Sequence, residues 1–493
     1  MSPRQRLSAA SLSALPANVA RPAYDRSAIA TGIVHLGIGS FHRAHQAVYT
    51  DSVLTSGDRR WGIVGASLRS PDTRDILNAQ DYFYTLNLRA EAEALRVIGS
   101  LQDILVAPEN PAVLIETLCR PSVAVVSLTV TEKGYHYDPA TRALNEGGPN
   151  IRHDLAHPGA PRTIFGFLAA AIARRRKLGV MPFTVLSCDN LPANGRTLHG
   201  LLSRYAQLVS PDLGSFVRDE ILCPNTMVDR IVPATTDDDR RRLGDALGVD
   251  DLWPVVAEPF TQWVIEDRFS SGRPAWDEAG ATFVRDVAPF ESMKLRLLNG
   301  SHSALAYLGY LSGYETVAEA MGDDALAGFA EGLMTDAMPT LDLTSNVDVG
   351  AYKASLLARF RNRALHHRTW QIAMDGSQKL PQRILEPIRD RLAKGLPIER
   401  HALVVAGWMR YVTGVDERGR LIDVRDPLLQ SIRDTLENAG RDVPRIVGAL
   451  LGLKTIFGGD LPADQRFRLA VSDALTSICS VGSRQTIERL AKF

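Results

Sequence analysis

Four nearly unbroken apolar, β-branched runs punctuate the first half of the chain, at 32–37, 61–66, 123–130 and 183–188. A strand covered on one face alternates apolar and polar residues, so continuous runs of this kind predict strands buried on both faces. Ahead of the fourth run, a helical pattern spans Ile164–Leu178 and ends in Arg174-Arg175-Arg176-Lys177, where cations suit the negative end of a helix dipole. Strands alternating with helices imply a mainly parallel sheet. From about Ala288 onward the spacing changes to long helical segments, at 301–314, 325–338, 352–361 and 400–411, and strand signals nearly vanish. The pattern therefore predicts an α/β, Rossmann-like N-terminal domain over 1–286 and a mainly α-helical C-terminal domain over 287–493, with no internal repeat or low-complexity tract.

Composition narrows the function classes. With 493 residues, 45% hydrophobic and 23% charged, the chain has the make-up of an ordinary globular protein and the length of two or three domains. The 56 basic and 56 acidic side chains cancel, so no overall field draws nucleic acid or an anionic membrane. Cys119, Cys188, Cys223 and Cys479 are scattered, which supports neither a disulfide framework nor a cysteine-based metal site and fits a reducing cytoplasm. No stretch approaches the ~18 apolar residues of a membrane span, and the first 24 residues lack a continuous apolar segment. The partner expected is a small molecule, and nothing in the sequence fixes the number of subunits.

The first apolar run leads into Gly37-Ile38-Gly39-Ser40-Phe41-His42 and then a helical pattern. Two glycines let the backbone at Gly37, Gly39, Ser40 and Phe41 approach a pyrophosphate whose charge is favoured by a helix N-terminus. His42 stands where a G-x-G-x-x-G motif has its third glycine, so the alternative is an ordinary strand-to-helix turn. The second run leads to Arg69-Ser70-Pro71-Asp72. Asp72 is placed to accept from a ribose diol, which favours NAD over NADP, while Arg69 beside it admits NADP. Otherwise Asp72 is a solvated loop carboxylate.

Just after the expected domain boundary come Glu291, Lys294, Asn299, Gly300 and His302. At about 100° per residue, Asn299 lies about 140° and His302 about 80° around a helix from Lys294, so the three share one side. A desolvated lysine has its charged form disfavoured and can take a proton from an alcohol near neutral pH without zinc. Asn299 can then donate to the oxygen on which negative charge develops. Gly300 costs a helix about 1 kcal/mol relative to alanine and suits a place where another segment packs against the backbone. Taken singly, most such residues serve packing or solvation.

The two blocks 37–45 and 294–302 resemble the mannitol dehydrogenase family of polyol-specific long-chain dehydrogenases, and further similar blocks occur in order at 129–135, 187–192, 227–231, 258–260 and 375–379. The resemblance implies an NAD(P)-dependent, zinc-independent oxidoreductase that interconverts a secondary alcohol and a ketone of a linear polyol or sugar acid. By the same resemblance, Lys294 is the general base, Asn190 and Asn299 the oxyanion pair, His302 a substrate-orienting residue and Glu291 a route for the proton. Asp229 and Lys379 would contact substrate hydroxyls. Gln371 stands where a mannitol-specific member holds arginine, and the stretch 367–383 is similar to the fructuronate reductase branch, which acts on D-mannonate and D-fructuronate. A carboxylate-bearing substrate needs a cationic partner, for which Arg368 is the sequence candidate. The competing readings are D-mannitol/D-fructose as substrate, a nucleotide-binding sensor without turnover, and a metal-dependent dehydrogenase, for which no ligand cluster is evident among the cysteines and 11 histidines.

Overall fold

A computed structural model describes residues 4–138, 141, 143–342, 347–440 and 442–490. The chain divides into two compact units, Met1–Ala288 and Pro289–Phe493. The first is built on a five-stranded parallel sheet whose order is Leu101–Val106, Gly62–Ser67, Thr31–Leu36, Val125–Leu128 and Thr184–Ser187. All four apolar runs are strands of this sheet. Their residues are buried almost without interruption because helices cover both faces. Helix Ile164–Leu178 has the limits its sequence pattern gives: the Thr163 side chain accepts from the Gly166 amide, and Gly179 ends it at φ 64°. Arg175 in its last turn is buried and donates to the carbonyls of Leu118 and Met181.

The fifth strand, Leu101–Val106, was not among the four runs. It is an edge strand with partly covered positions at Gln102, Asp103 and Leu105, so its sequence carries no continuous apolar signal. Two three-stranded side sheets join it in this unit. One pairs Ala94–Ile98, Tyr84–Leu88 and Val255–Ala257, and the other pairs Thr282–Val284, Gln262–Glu266 and Thr226–Asp229.

The chain's first strand lies at the centre of the parallel sheet, with Leu36 in register with Ala66 on one side and Leu128 on the other. Connections leaving its C-terminal end and those of its neighbours therefore diverge, which opens a crevice at the end of the strand. The segment Gly37–Phe41 begins there.

The second unit is helical, and among the described residues it holds no strand beyond isolated bridges. Its helices Asp324–Ala337, Val349–Phe360 and Glu399–Tyr411 fall close to the expected segments, within three residues at each end. Trp408, Tyr307 and Tyr411 are each almost wholly buried within one apolar core. The expected α-helix over 301–314 is interrupted. From Ala288 the chain winds as an α-turn, then a π-turn at Lys294–Asn299, an α-turn at Gly300–Ala304 and a second π-turn at Leu305–Gly309. A third π-turn spans Pro381–Leu385.

Candidate active site

In the first unit the sheet and its exit loops position the nucleotide turn. Gly37 has φ 95°, and a Cβ there would lie 2.1 Å from the Thr129 carbonyl oxygen, so only glycine fits. Its amide donates to the Ala66 carbonyl at 2.9 Å, which ties the turn to the neighbouring strand. Around Gly39, by contrast, a Cβ would meet nothing within 4 Å. This open backbone caps helix Ser40–Ala44, whose first amides belong to Ser40 and Phe41. The space and the donors fit a dinucleotide pyrophosphate.

The missing third glycine has a structural explanation. His42 stacks on His35 of the central strand, with ring centroids 3.4 Å apart, so an imidazole pair fills the helix–strand contact that glycine would otherwise make close. Burial pushes His35 down to about 3 and His42 well below the ordinary histidine range. A neutral His35 has one donor and one acceptor. The Gly37 carbonyl 3.1 Å from Nε2 can only accept, which puts the proton on Nε2 and leaves Nδ1 to accept from Ser127 Oγ at 2.8 Å. Asp72 lies at the exit of the adjacent strand, exposed, as the first residue of helix Asp72–Asn78, where its carboxylate accepts from Ser70 Oγ at 2.9 Å.

Asn190 is exposed at the end of strand Thr184–Ser187. The residue before it holds this exit in place: the Asp189 carboxylate accepts from the amides of Val130 and Thr131 and from the Tyr135 hydroxyl, at 3.0, 2.9 and 2.7 Å. Burial raises Asp189 to about 6 against the pull of those hydrogen bonds. Asn194 Nδ2 adds bonds to the carbonyls of Ser187, Asp189 and Thr226. Sequence reasoning missed Asp189, Tyr135 and His35. The signal available was that Asp189 and Tyr135 fall inside the blocks at the ends of neighbouring strands and that His35 is the one polar side chain in the first apolar run. Asp229 is buried at the end of strand Thr226–Asp229, opposite Gln262.

In the second unit, Lys294, Asn299 and His302 are all buried, at 7%, 8% and 8% exposure. The angles expected from α-geometry do not hold. The Gly300 amide donates to the Leu295 carbonyl, five residues back, and this wider turn brings Asn299 nearly over Lys294 instead of well round the helix. Arg296 anchors the turn through the Asp390 carboxylate at 2.5 Å and the Thr340 carbonyl at 2.7 Å. A Cβ on Gly300 would lie 3.1 Å from the Arg383 carbonyl, so the expected close backbone neighbour is the π-turn Pro381–Leu385. Glu291 is half-buried one helical turn before Lys294.

His302 stacks on Phe360 at 4.6 Å and meets His367 edge-on at 5.2 Å. Its Nε2 is buried without a hydrogen-bond partner among the described residues. Burial first, then His367 and the charges of Arg359, Arg383 and Lys379, keep it neutral far below the usual histidine range. Lys379 Nζ is fixed by the carbonyls of Ile372 and Met374 at 3.1 and 2.6 Å. Arg368 is exposed, and its backbone bridges to Thr316 at the start of helix Thr369–Ala373. Among the described residues no group of three or more His, Cys, Asp or Glu is arranged to hold a metal ion, and no helix is long and apolar enough to cross a membrane.

A Rossmann sheet with a glycine-directed nucleotide turn, joined to a helical unit with a buried lysine, amide and imidazole on one helix, defines a dinucleotide-dependent oxidoreductase. Residues 31–278 match the mannitol dehydrogenase Rossmann domain and residues 286–479 the mannitol dehydrogenase C-terminal domain. The chain belongs to the mannitol dehydrogenase family. It is 47% identical to a D-mannonate oxidoreductase of Escherichia coli, over 96% of this chain and 98% of that protein. An uncharacterised oxidoreductase of the same bacterium is 48% identical over 97% of this chain and 98% of its own length. Among solved structures, the ternary complex of Pseudomonas fluorescens mannitol 2-dehydrogenase with NAD and D-mannitol superposes with a TM-score of 0.91 and 41% identity, covering 99% of this chain and 100% of that one.

Proposed function

We propose that this protein is an NAD-dependent, zinc-independent dehydrogenase that interconverts the secondary alcohol of D-mannonate and the ketone of D-fructuronate. NAD supplies the hydride acceptor when bound at the Gly37–Phe41 turn. Lys294 takes the hydroxyl proton as the carbinol hydrogen leaves as hydride, and Asn190 and Asn299 donate to the oxygen as charge develops on it. His302, a neutral imidazole with an open Nε2, orients the substrate. Asp229 and Lys379 hold its hydroxyls, and Glu291 carries the proton onward from Lys294. The observation that carries this reading is the burial of Lys294, Asn299 and His302 on one helix that winds as a π-turn between the lysine and the asparagine.

Two relatives frame the substrate: the D-mannonate oxidoreductase at 47% identity supports the sugar acid, and the mannitol 2-dehydrogenase structure at 41% supports D-mannitol as the second reading. Side-by-side NADH oxidation with D-fructuronate, D-tagaturonate and D-fructose tests the order. D-Fructuronate is expected to give the largest kcat/KM, and D-fructose in first place would reverse the reading. For the cofactor, Asp72→Ala removes the carboxylate proposed to accept from the ribose diol. Its expected result is about a tenfold fall in the NAD-to-NADP ratio of kcat/KM, consistent with losing one charge-assisted hydrogen bond. An unchanged ratio removes Asp72 from that role.

A further inference from the structure

We propose that Thr129 and His35 are positioning residues for NAD: their side chains lock the Gly37 carbonyl and so hold the turn Gly37–Phe41 in its binding shape before the cofactor arrives. The assignment rests on the reading above that the pyrophosphate binds at this turn.

Three donors converge on the Gly37 carbonyl oxygen. The Gly39 amide reaches it at 2.8 Å, which closes a three-residue turn around Ile38. Thr129 Oγ1 donates to the same oxygen at 2.7 Å, and His35 Nε2 lies 3.1 Å from it. The two side chains are also joined to each other, since Nε2 donates to Thr129 Oγ1 at 2.8 Å. Every hydrogen is accounted for. The Ser127 hydroxyl serves His35 Nδ1, the Nε2 proton serves Thr129 with the carbonyl alongside, and the single Thr129 hydrogen goes to the carbonyl. No member can reverse its direction without breaking the bond of the next.

The network is carried by two adjacent strands. His35 is in register with Ser127, both are buried, and Thr129 follows the second strand with its amide bonded to the Leu36 carbonyl at 3.0 Å. The turn itself has little to stiffen it. Glycine loses more conformational freedom than any other residue when it is fixed, and a Cβ at Gly39 would meet nothing within 4 Å. Ordering such a segment at the moment of binding subtracts from affinity, whereas a turn already ordered spares that cost. With its hydrogen committed to Gly37, Thr129 acts on NAD through the turn.

The test is fluorescence titration of NADH into the whole protein, set beside kcat, KM for NAD, and KM for whichever of D-mannonate and D-mannitol the wild type oxidises. Thr129→Val keeps the shape of the side chain and removes its hydroxyl. It is expected to raise the NADH Kd by ~3–10-fold, the effect of about one neutral hydrogen bond, and KM for NAD with it. Changes in kcat and in KM for the alcohol at saturating NAD should be smaller. Thr129→Ser keeps the hydroxyl and is expected to recover most of the loss. An unchanged NADH Kd in Thr129→Val overturns the assignment, and so does an equal rise in Thr129→Ser, because the hydroxyl is then not the cause. Should Thr129→Val fail to fold, Thr129→Ala is read against Thr129→Ser in the same way. Gly39→Val checks the underlying reading, since a backbone at φ −90° with open space around it admits a branched side chain, which would cover the amides of the turn. A wild-type NADH Kd in Gly39→Val overturns the placement of the pyrophosphate and this assignment with it. A raised Kd there beside an unchanged one in Thr129→Val overturns this assignment alone.

Discussion

Replacing Lys294 by methionine should lower kcat by ~10²–10⁴-fold while NADH binds as before. Methionine is the informative substitute because the side chain is 7% exposed, and an unbranched apolar chain fills the space that alanine would leave open. The rate loss follows from removing a positioned proton acceptor, whose contribution is of that size. NADH affinity is the control, since the turn at Gly37–Phe41 belongs to the other unit of the chain. Pre-steady-state hydride transfer at rising pH adds a second check. Bulk hydroxide can partly replace a missing base, so the variant should gain rate with pH more steeply than the wild type. A variant that retains wild-type kcat would place the base elsewhere, and a variant that loses NADH binding would show that Lys294 supports the fold.

The second large effect is on stability in acid, and it should fall unequally on the two units. In the helical unit, burial holds His302 well below its ordinary range, His401 at about 3 and His367 at about 4. Each of these is neutral when folded, whereas in the unfolded chain it binds a proton below about pH 6.5. Stability is therefore full above pH 6.5 and is lost as pH falls from there toward 4. Three such groups correspond to a loss of about 4 kcal/mol per pH unit once the unfolded imidazoles are protonated. In the Rossmann unit, His35 and His42 act in the same sense, joined by the half-buried His136. Asp189, raised to about 6, and Asp251, also raised by burial, act in the opposite sense, because the folded state binds their protons first as pH falls. The raised aspartates oppose the histidines in this unit, whereas no raised carboxylate opposes them in the helical unit among the described residues. Hydrogen exchange followed by mass spectrometry between pH 7 and 4.5 should show residues 289–490 losing protection before residues 31–278. Simultaneous loss, or the reverse order, would contradict this account.

The sequence revealed features whose cause is local. Helix Ile164–Leu178 could be read to its ends because Thr163 and Gly179 cap it chemically, and the four central strands because burial on both faces leaves an unbroken apolar run. The edge strand Leu101–Val106 and the side sheets lacked that signal, since their half-covered positions admit Gln102, Asp103 and Arg96. Lys294, Asn299 and His302 stood out by residue type and spacing. The π-turn that aligns them did not, because Lys-Leu-Arg-Leu-Leu-Asn has an apolar spacing equally suited to an α-helix. The stacking of His302 on Phe360 arises only from the packing of separate segments, and no spacing along the chain encodes that.

Each π-turn accommodates one more residue than an α-turn of equal hydrogen bonding, so this wall of the site depends on a count of residues as well as on their identity. Deleting a single residue between Leu295 and Leu298 would let the coil relax to ordinary winding and leave everything beyond it at nearly the same bearing, because five residues of π-winding and four of α-winding each close roughly one turn. Straightening the turn at full length would instead carry Asn299 and His302 round the axis away from Lys294, an outcome that no loss of a single side chain reproduces. Attempts to exchange substrates in this scaffold therefore gain most from changing side chains and lose most from straightening the helix that bears them.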